Sequence, residues 1–512
     1  MIVARERLIA GAAMVGALAV GALATTVPVL GISATVILLA VIYAYSFPDQ
    51  LLRLWLALAA VMLSGYAFIG KGFAYLGRPP LYIGEIALGI GLLALLVRGR
   101  ASSVMRSPIA AILAAFGLWG AARTVPYMSE YGIEALRDAA LWGYGAFSLI
   151  VLALLSRAES FARIIKLYWR VFRWLPFCAP VFSLASMLAG DSIPFVPGTQ
   201  QPIFGFKPGD LAVHLAGAGV FMMLGLSASD RRVGERTRSD WLWWGVWMAS
   251  IMFAVSFSRG GLLAAVLAFG IVVTLRPHAR WWKPALAAVL VSGVLIVFDV
   301  SFDFGATRKV SARQLAANVI SITDSRQDVS LSGTREWRLA WWTKIIGYTV
   351  HGDYFWTGKG FGVNLADDDG FQDGVVSFSP NRSPHSVQMT VLARTGVPGL
   401  CLWILLQTAF GLSLVRAYVR TRREGRDWWG RITLWILAYW IALLVNGSFD
   451  VYIEGPQGGI WFWCIFGLGL AALRAQREEQ TRYRQPIVSS LAPRSAARLD
   501  GYGAPSGADL LG

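Results

Sequence analysis

The chain has 512 residues, 56% of them hydrophobic and only 15% charged, a balance too apolar for an ordinary soluble enzyme. Its formal charge of +16 suggests a nucleic-acid partner, but the placement of that charge excludes one. With the N-terminus inside the cell, cytoplasmic loops and tails hold 30 of the 46 Lys and Arg residues. The short outside loops hold six: Lys71, Arg78, Arg123, Arg137, Lys207 and Arg259. This is the positive-inside bias, which sets orientation and asks for no polyanion beyond membrane lipid.

Apolar blocks such as Trp282–Val300 and Leu434–Val445 carry almost no charge and recur along the chain. A hydrocarbon core of roughly 30 Å needs about 20 helical residues, and helix satisfies its own backbone in lipid. The pattern predicts spans near 8–27, 30–47, 52–70, 81–98, 107–122, 138–155 and 170–188, then 210–228, 241–257, 260–275 and 283–300, and finally 388–415, 432–447 and 458–474. The expected fold is all-α: a polytopic integral membrane protein with about 14 transmembrane helices and one large periplasmic segment.

Arg5 and Arg7 precede the first apolar run and Ala22-Leu23-Ala24 follows it, as in a cleavable signal peptide. Because hydrophobicity resumes at once, an uncleaved anchor is the preferred reading. Residues 241–257 and 260–275 are short and tightly joined, so either member suits a re-entrant segment. The layout is then 1–300 for the N-terminal helices (about 11), 301–384 for the periplasmic segment and 385–474 for the C-terminal helices (about 3). A tail at 475–512, rich in Arg, Gln, Ser, Ala and Gly, is expected to be disordered and cytoplasmic. Both termini fall on the cytoplasmic side of a bacterial inner membrane.

The periplasmic segment is aromatic. A helix is predicted from Thr334, with that residue as cap and Glu336 in its first turn. Trp337, Trp341, Ile345 and Tyr348 fall on one stripe, which suits a helix lying along the outer membrane surface. Arg335 and Arg338, one turn apart, are placed to face a single ligand.

Familiar motifs are few. There is no HExxH, no CxxC and no paired histidine set, so neither a metal nor a cofactor is expected. Cys178, Cys401 and Cys464 read as small buried hydrophobes within spans. The stretch Gly352–Gly360 has the wrong spacing for a phosphate loop and lacks its Ser or Thr. Ser258-Arg259-Gly260-Gly261 interrupts an apolar hairpin at its outer end. An arginine there is costly without a partner, and the two glycines permit close approach to the backbone. Among four histidines, His278 sits in a basic cytoplasmic loop, His214 suits an interhelical hydrogen bond and His351 a surface position. His385 opens a span in Ser383-Pro384-His385-Ser386, where a neutral imidazole can take a proton from a hydroxyl.

Three pieces of this sequence resemble the O-antigen ligase and polymerase superfamily of bacterial surface-glycan enzymes. They are Ser258-Arg259-Gly260-Gly261 before an apolar helix; Gly333-Thr334-Arg335-Glu336-Trp337 with Gly358-Lys359-Gly360-Phe361-Gly362 after it; and His385, eleven residues before Gly396, with Gly399 three further on. Two positions depart from the family pattern: Ser386 where Asn is frequent, and Arg394 where Glu is frequent. The resemblance implies an inverting, metal-independent glycosyl transfer. A polyprenyl-diphosphate-linked glycan would be the donor, and a lipid A-core sugar or growing polysaccharide the acceptor. It implies His385 as base and Arg259, Arg335 and Arg338 as diphosphate ligands, with glycan-assembly proteins as further partners. The rival class is a lipid-linked oligosaccharide transporter, or flippase, which would need polar residues along a path through the mid-bilayer.

Overall fold

The structure, a computed structural model, describes residues 46–98, 104–189, 192–197, 199, 201–227, 238–276, 282–297, 302–303, 309–310, 329–372 and 381–484. The expected span 8–27, nearly all of 30–47, His278 and most of the C-terminal tail lie outside them.

Almost everything described is helix. In chain order the main helices are α1 (Pro48–Phe68), α2 (Ile83–Val97), α3 (Pro108–Thr124), α4 (Ile133–Asp138) and α5 (Gly145–Leu155). Next come α6 (Ala158–Phe172), α7 (Leu175–Ala189), α8 (Pro208–Met223), α9 (Arg238–Phe257), α10 (Arg259–Leu275) and α11 (Trp282–Val297). The last four are α12 (Val329–Val350), α13 (Val387–Arg423), α14 (Asp427–Phe449) and α15 (Pro456–Arg484). Five segments among the described residues are long and apolar enough to cross a membrane: Pro48–Phe68, Pro108–Tyr131, Val387–Arg423, Asp427–Phe449 and Pro456–Thr481. A sixth arises if Ile133–Gly143 and Gly145–Leu155, bent by 44° at their junction, form one broken span. Helix α2 and the pair α9 and α10 are apolar but shorter, so the expected count of fourteen is not reached by length alone.

Helices α14 and α15 form the centre. Their apolar windows are 72% and 94% buried, against 33% for α13, which shows one face to the surroundings. Indole groups stitch the bundle by donating to backbone carbonyls of neighbouring helices: Trp55 to Ala87 (3.0 Å), Trp247 to Leu215 (2.7 Å), Trp435 to Gly217 (3.1 Å) and Trp461 to Leu63 (3.0 Å). His214 makes the interhelical bond expected of it, Nδ1 to Tyr439 OH at 2.7 Å. Where no water competes, such bonds complete groups that would otherwise be costly to bury.

Three local readings change. Helix α6 occupies residues placed largely ahead of the 170–188 span. Phe161, Ile165, Tyr168 and Phe172 are buried on one face while Glu159, Arg163, Lys166 and Arg170 occupy the other, and that charged stripe hid a core-facing helix. Helix α12 starts at Val329, so Thr334 is inside it and is not its cap. Its stripe does not lie bare. Trp341 and Ile345 are fully buried against Leu365, Ala366, Leu392 and Ala393, with Trp337 and Tyr348 packed alongside. The third change is at the C-terminus, where α15 runs to Arg484, ten residues past the expected end of the last span at 474. Gln476 is buried and donates to Thr433 Oγ1 (2.8 Å), and Glu479 pairs with Arg426 (2.8 Å). Of the three cysteines only Cys464 is buried; Cys178 is half-buried and Cys401 exposed on the helix surface.

Contacts between loops sort into two ends. One joins Lys71 N to Gly205 O (2.9 Å), Arg123 Nε to Thr357 O (2.8 Å) and Lys207 Nζ to Asp450 Oδ1 (3.0 Å). The other joins Arg98 to Asp49 (2.5 Å), Trp243 Nε1 to Arg173 O (2.9 Å) and Arg276 to Asp427 (2.6 Å). Each contact links residues that alternating spans place on the same side.

Helix α13 is broken at Gly396, where φ is 68° and ψ is −171°. A break strands backbone groups, and here a strap takes them up. Lys359 N donates to Ala393 O (2.7 Å), Gly360 N to Arg394 O (3.0 Å), Trp119 Nε1 to Thr395 O (2.9 Å), and Val397 N to Phe355 O (2.8 Å). This is what Gly358-Lys359-Gly360-Phe361-Gly362 does: Gly358 has φ 59°, and a Cβ there would sit 2.4 Å from the Arg394 carbonyl carbon. Arg394, 3% exposed, fastens the strap to α4, with Nη1 donating to Gly360 O and Val363 O (both 3.2 Å) and Nη2 meeting Asp138 Oδ2 at 2.9 Å. Arg382 shares that carboxylate at 3.1 Å. Arg394→Ala would strand two carbonyls and remove one of Asp138's three arginine partners. We expect a loss of about 3 kcal/mol, read as a lower midpoint in thermal unfolding in detergent.

Candidate functional site

Five stretches distant in sequence meet at the first of the two helix ends. Helix α10 begins with Arg259 as its first residue, and Ser258 Oγ caps it by accepting from Gly261 N (3.0 Å). A cation at a helix N-terminus opposes the macrodipole, whereas an anion bound there is favoured by both. The neighbouring glycines are matched to protein rather than left open. A Cβ on Gly261 would lie 3.1 Å from Gly209 Cα on α8, and one on Gly209 would lie 2.8 Å from both Ser258 Oγ and Asn446 Oδ1. Gly260 faces Phe449 Cβ. The Arg259 turn is thereby seated against the end of α14.

Arg338 reaches the same place from α12, Nη1 donating to Phe449 O at 2.9 Å. Its Nε is buried and makes no protein hydrogen bond. Burial pulls this guanidinium below its ordinary pKa, with Asp450 opposing. Arg335 lies one turn earlier on α12 and is exposed.

His385 arrives from the other side, just ahead of α13. Its φ is +55°, the left-handed region, in a residue other than glycine. Nδ1 sits 3.6 Å from Asp450 Oδ1, both side chains being 27% exposed, and the ring meets Trp337 edge to face at 5.9 Å. Asp450 Oδ1 also takes Lys207 Nζ (3.0 Å) and Val451 N (2.7 Å). Burial pushes the Asp450 carboxyl up, but the His385 imidazole and Lys207 ammonium outweigh it and hold the group well below the usual carboxylate range. The Asp450 carboxylate thus lies beside Nδ1, which makes no protein hydrogen bond, and Nε2 is the ring's other nitrogen able to accept a proton. Behind this layer, Asn446 Nδ2 donates to Asp210 Oδ1 (3.2 Å).

Of the residues singled out from sequence, the structure brings His385, Arg338 and the Arg259 turn around Phe449 and Asp450. Sequence reading missed Asp450, Lys207 as its partner, and Glu454 four residues on. One signal was available: Asp450 and Glu454 are the only acidic residues between Asp427 and Glu478. A separate cavity of about 560 Å³ lies at the opposite end of α14, among Glu424, Arg426, Trp429 and Glu479. Among the described residues no group of three His, Cys, Asp or Glu side chains is placed to hold a metal ion.

A bundle of apolar helices with a charged cluster gathered at one set of helix ends is a multi-pass membrane protein. Residues 244–404 match the family model described as O-antigen ligase, which supports the resemblance to the O-antigen ligase and polymerase superfamily and points to a glycosyltransferase-like membrane enzyme. The matched stretch includes Arg259, Arg335, Arg338 and His385; Lys207, Asp450 and Glu454 lie outside it. No curated protein matches the chain.

Proposed function

We propose that the protein transfers a glycan from a polyprenyl-diphosphate donor to a sugar hydroxyl at the periplasmic face of the inner membrane. The acceptor is a lipid A-core sugar or the growing end of a polysaccharide. The observation that carries the reading is the convergence on Phe449 and Asp450 of the His385 imidazole, the Arg338 guanidinium and the helix turn that bears Arg259.

In this reading His385 Nε2 takes the proton of the acceptor hydroxyl as its oxygen attacks the anomeric carbon. The bond from that carbon to the diphosphate oxygen breaks, and the configuration inverts. Asp450 stabilises the imidazolium that forms, and Lys207 keeps Asp450 from being drawn to the substrate arginines. The leaving diphosphate gathers negative charge at the membrane boundary. Arg259, Arg335 and Arg338 neutralise it, since a guanidinium bonds two phosphate oxygens at once and stays charged at every physiological pH. Nucleotide sugars are absent from that compartment, which is why an already activated lipid donor suits an outward site.

A flippase would carry the same donor without making a bond. Purified protein in detergent should convert the polyprenyl-diphosphate glycan into a glycosidic product. Donor alone yielding longer chains identifies a growing polysaccharide as acceptor, and a product only with added lipid A-core identifies that lipid. No product from either mixture, with donor transport in vesicles intact, would overturn the proposal in favour of the transporter.

A further inference from the structure

We propose that Glu454 is a positioning residue for His385, holding the loop 383–386 in the backbone shape that presents the imidazole; this rests on the glycosyl-transfer reading. The loop has reason to need a holder. A non-glycine residue at φ +55° is strained and keeps that shape only where its surroundings impose it.

Glu454 grips both sides of the loop. Its Oε1 accepts from Ser383 Oγ and from Thr390 Oγ1, each at 2.9 Å, and these residues flank Pro384-His385-Ser386. The two hydroxyls are themselves 3.3 Å apart. Thr390 further binds the Ser386 carbonyl through its backbone N–H (2.9 Å), and Trp342 Nε1 donates to Pro384 O (2.8 Å). The turn joining α14 to α15 therefore supplies two carboxylates with separate tasks: Asp450 faces the ring, and Glu454 holds the backbone that carries it.

The grip depends on protonation. Burial pushes the Glu454 carboxyl up to about 7, against the Ser383 and Thr390 hydrogen bonds and the nearby Arg394 charge on α13, with Asp138 on α4 adding to the rise. Lys207, at the start of α8, is the further cation within reach, and Asp450 the further anion on the same turn. Ionised, the carboxylate accepts from both hydroxyls. Once protonated it keeps a carbonyl oxygen for both hydroxyls but loses the charge that strengthens those bonds. The latch is then complete above pH 7 and loosens as the pH falls through it.

The test uses full-length protein with the polyprenyl-diphosphate glycan and its acceptor. In the wild type log kcat should carry a step near pH 7 from Glu454, with the higher rate on the alkaline side. Glu454→Gln keeps an oxygen for both hydroxyls but cannot ionise, so its profile should lack that step. Glu454→Ala should lower kcat by about 10- to 100-fold with the donor KM little changed, as for a displaced reacting group, and Glu454→Asp should recover part of it. A Glu454→Gln profile that overlays the wild type overturns the proposal, as does a Glu454→Ala loss confined to KM. Should Glu454→Ala fail to insert, the presence or loss of the step near pH 7 in Glu454→Gln decides alone. Absence of any glycosidic product from the wild-type protein would instead bring down the glycosyl-transfer reading, whatever the Glu454 variants do.

Discussion

His385→Ala is expected to cut glycosyl transfer by about 10²–10⁴-fold, the range for losing a general base, with membrane level and unfolding midpoint unchanged. The side chain is 27% exposed, and its contacts are the Asp450 carboxylate, which Lys207 also pairs, and the edge-on ring of Trp337. Removing it therefore takes away chemistry more than packing. Asp450→Asn should show a smaller loss, because the imidazole remains but its anion is gone. The pH behaviour separates the two carboxylates of the turn. Asp450 is depressed below the usual range, so what it contributes to folding is present above the unfolded carboxylate pKa, about 3.9, and fades only as the pH falls through its lower native value. Activity measured between pH 5 and 8 should not titrate with Asp450. A His385→Ala enzyme that makes polymer or ligated lipid at the wild-type rate would remove the imidazole from the mechanism.

What the sequence disclosed, and what it hid, follows from the range over which each signal acts. Apolar runs report on local burial, so Pro48–Phe68, Asp427–Phe449 and Pro456–Thr481 were legible directly. Helix α6 was not, because its charged stripe breaks the run even though Phe161, Ile165, Tyr168 and Phe172 are buried. His385 and Arg259 stood out because polar groups at the ends of apolar helices are conspicuous. Asp450 did not, although it lies in the same kind of place. Its meaning comes from Lys207 and His385, 243 residues behind it in one case, and no spacing rule spans that separation. Arg394 misled in another way. At a position where the family favours an acid it looked like a change near the chemistry, yet its partners are Asp138 and the carbonyls of the Gly360 strap. The Gly-rich turn itself seemed a failed phosphate loop until the break at Gly396 showed which carbonyls its N–H groups serve.

Arg259→Lys is expected to lower transfer by about 10²–10³-fold although the charge is kept, the cost typical of removing one donor to a developing anion. Two roles compete for this residue. As a topological anchor it needs only positive charge at a helix end, and lysine would serve. As a diphosphate ligand it needs a planar pair of N–H groups at fixed separation, which an ammonium on a flexible stem cannot present. Its place favours the second role. The helix N-terminus favours a bound anion, and the cap is already made by Ser258, so the arginine is not needed to close the turn. The packing of Gly261 on Gly209 and of Gly260 on Phe449 then fixes where the guanidinium starts from. Arg338 is a poorer probe. Losing it also releases the Phe449 carbonyl beside Asp450, so rate and geometry change together. The kinetic signature should be a fall in kcat larger than any rise in the donor KM, because the diphosphate carries more charge on leaving than on binding. Wild-type kinetics in Arg259→Lys, with insertion intact, would return Arg259 to the role of anchor.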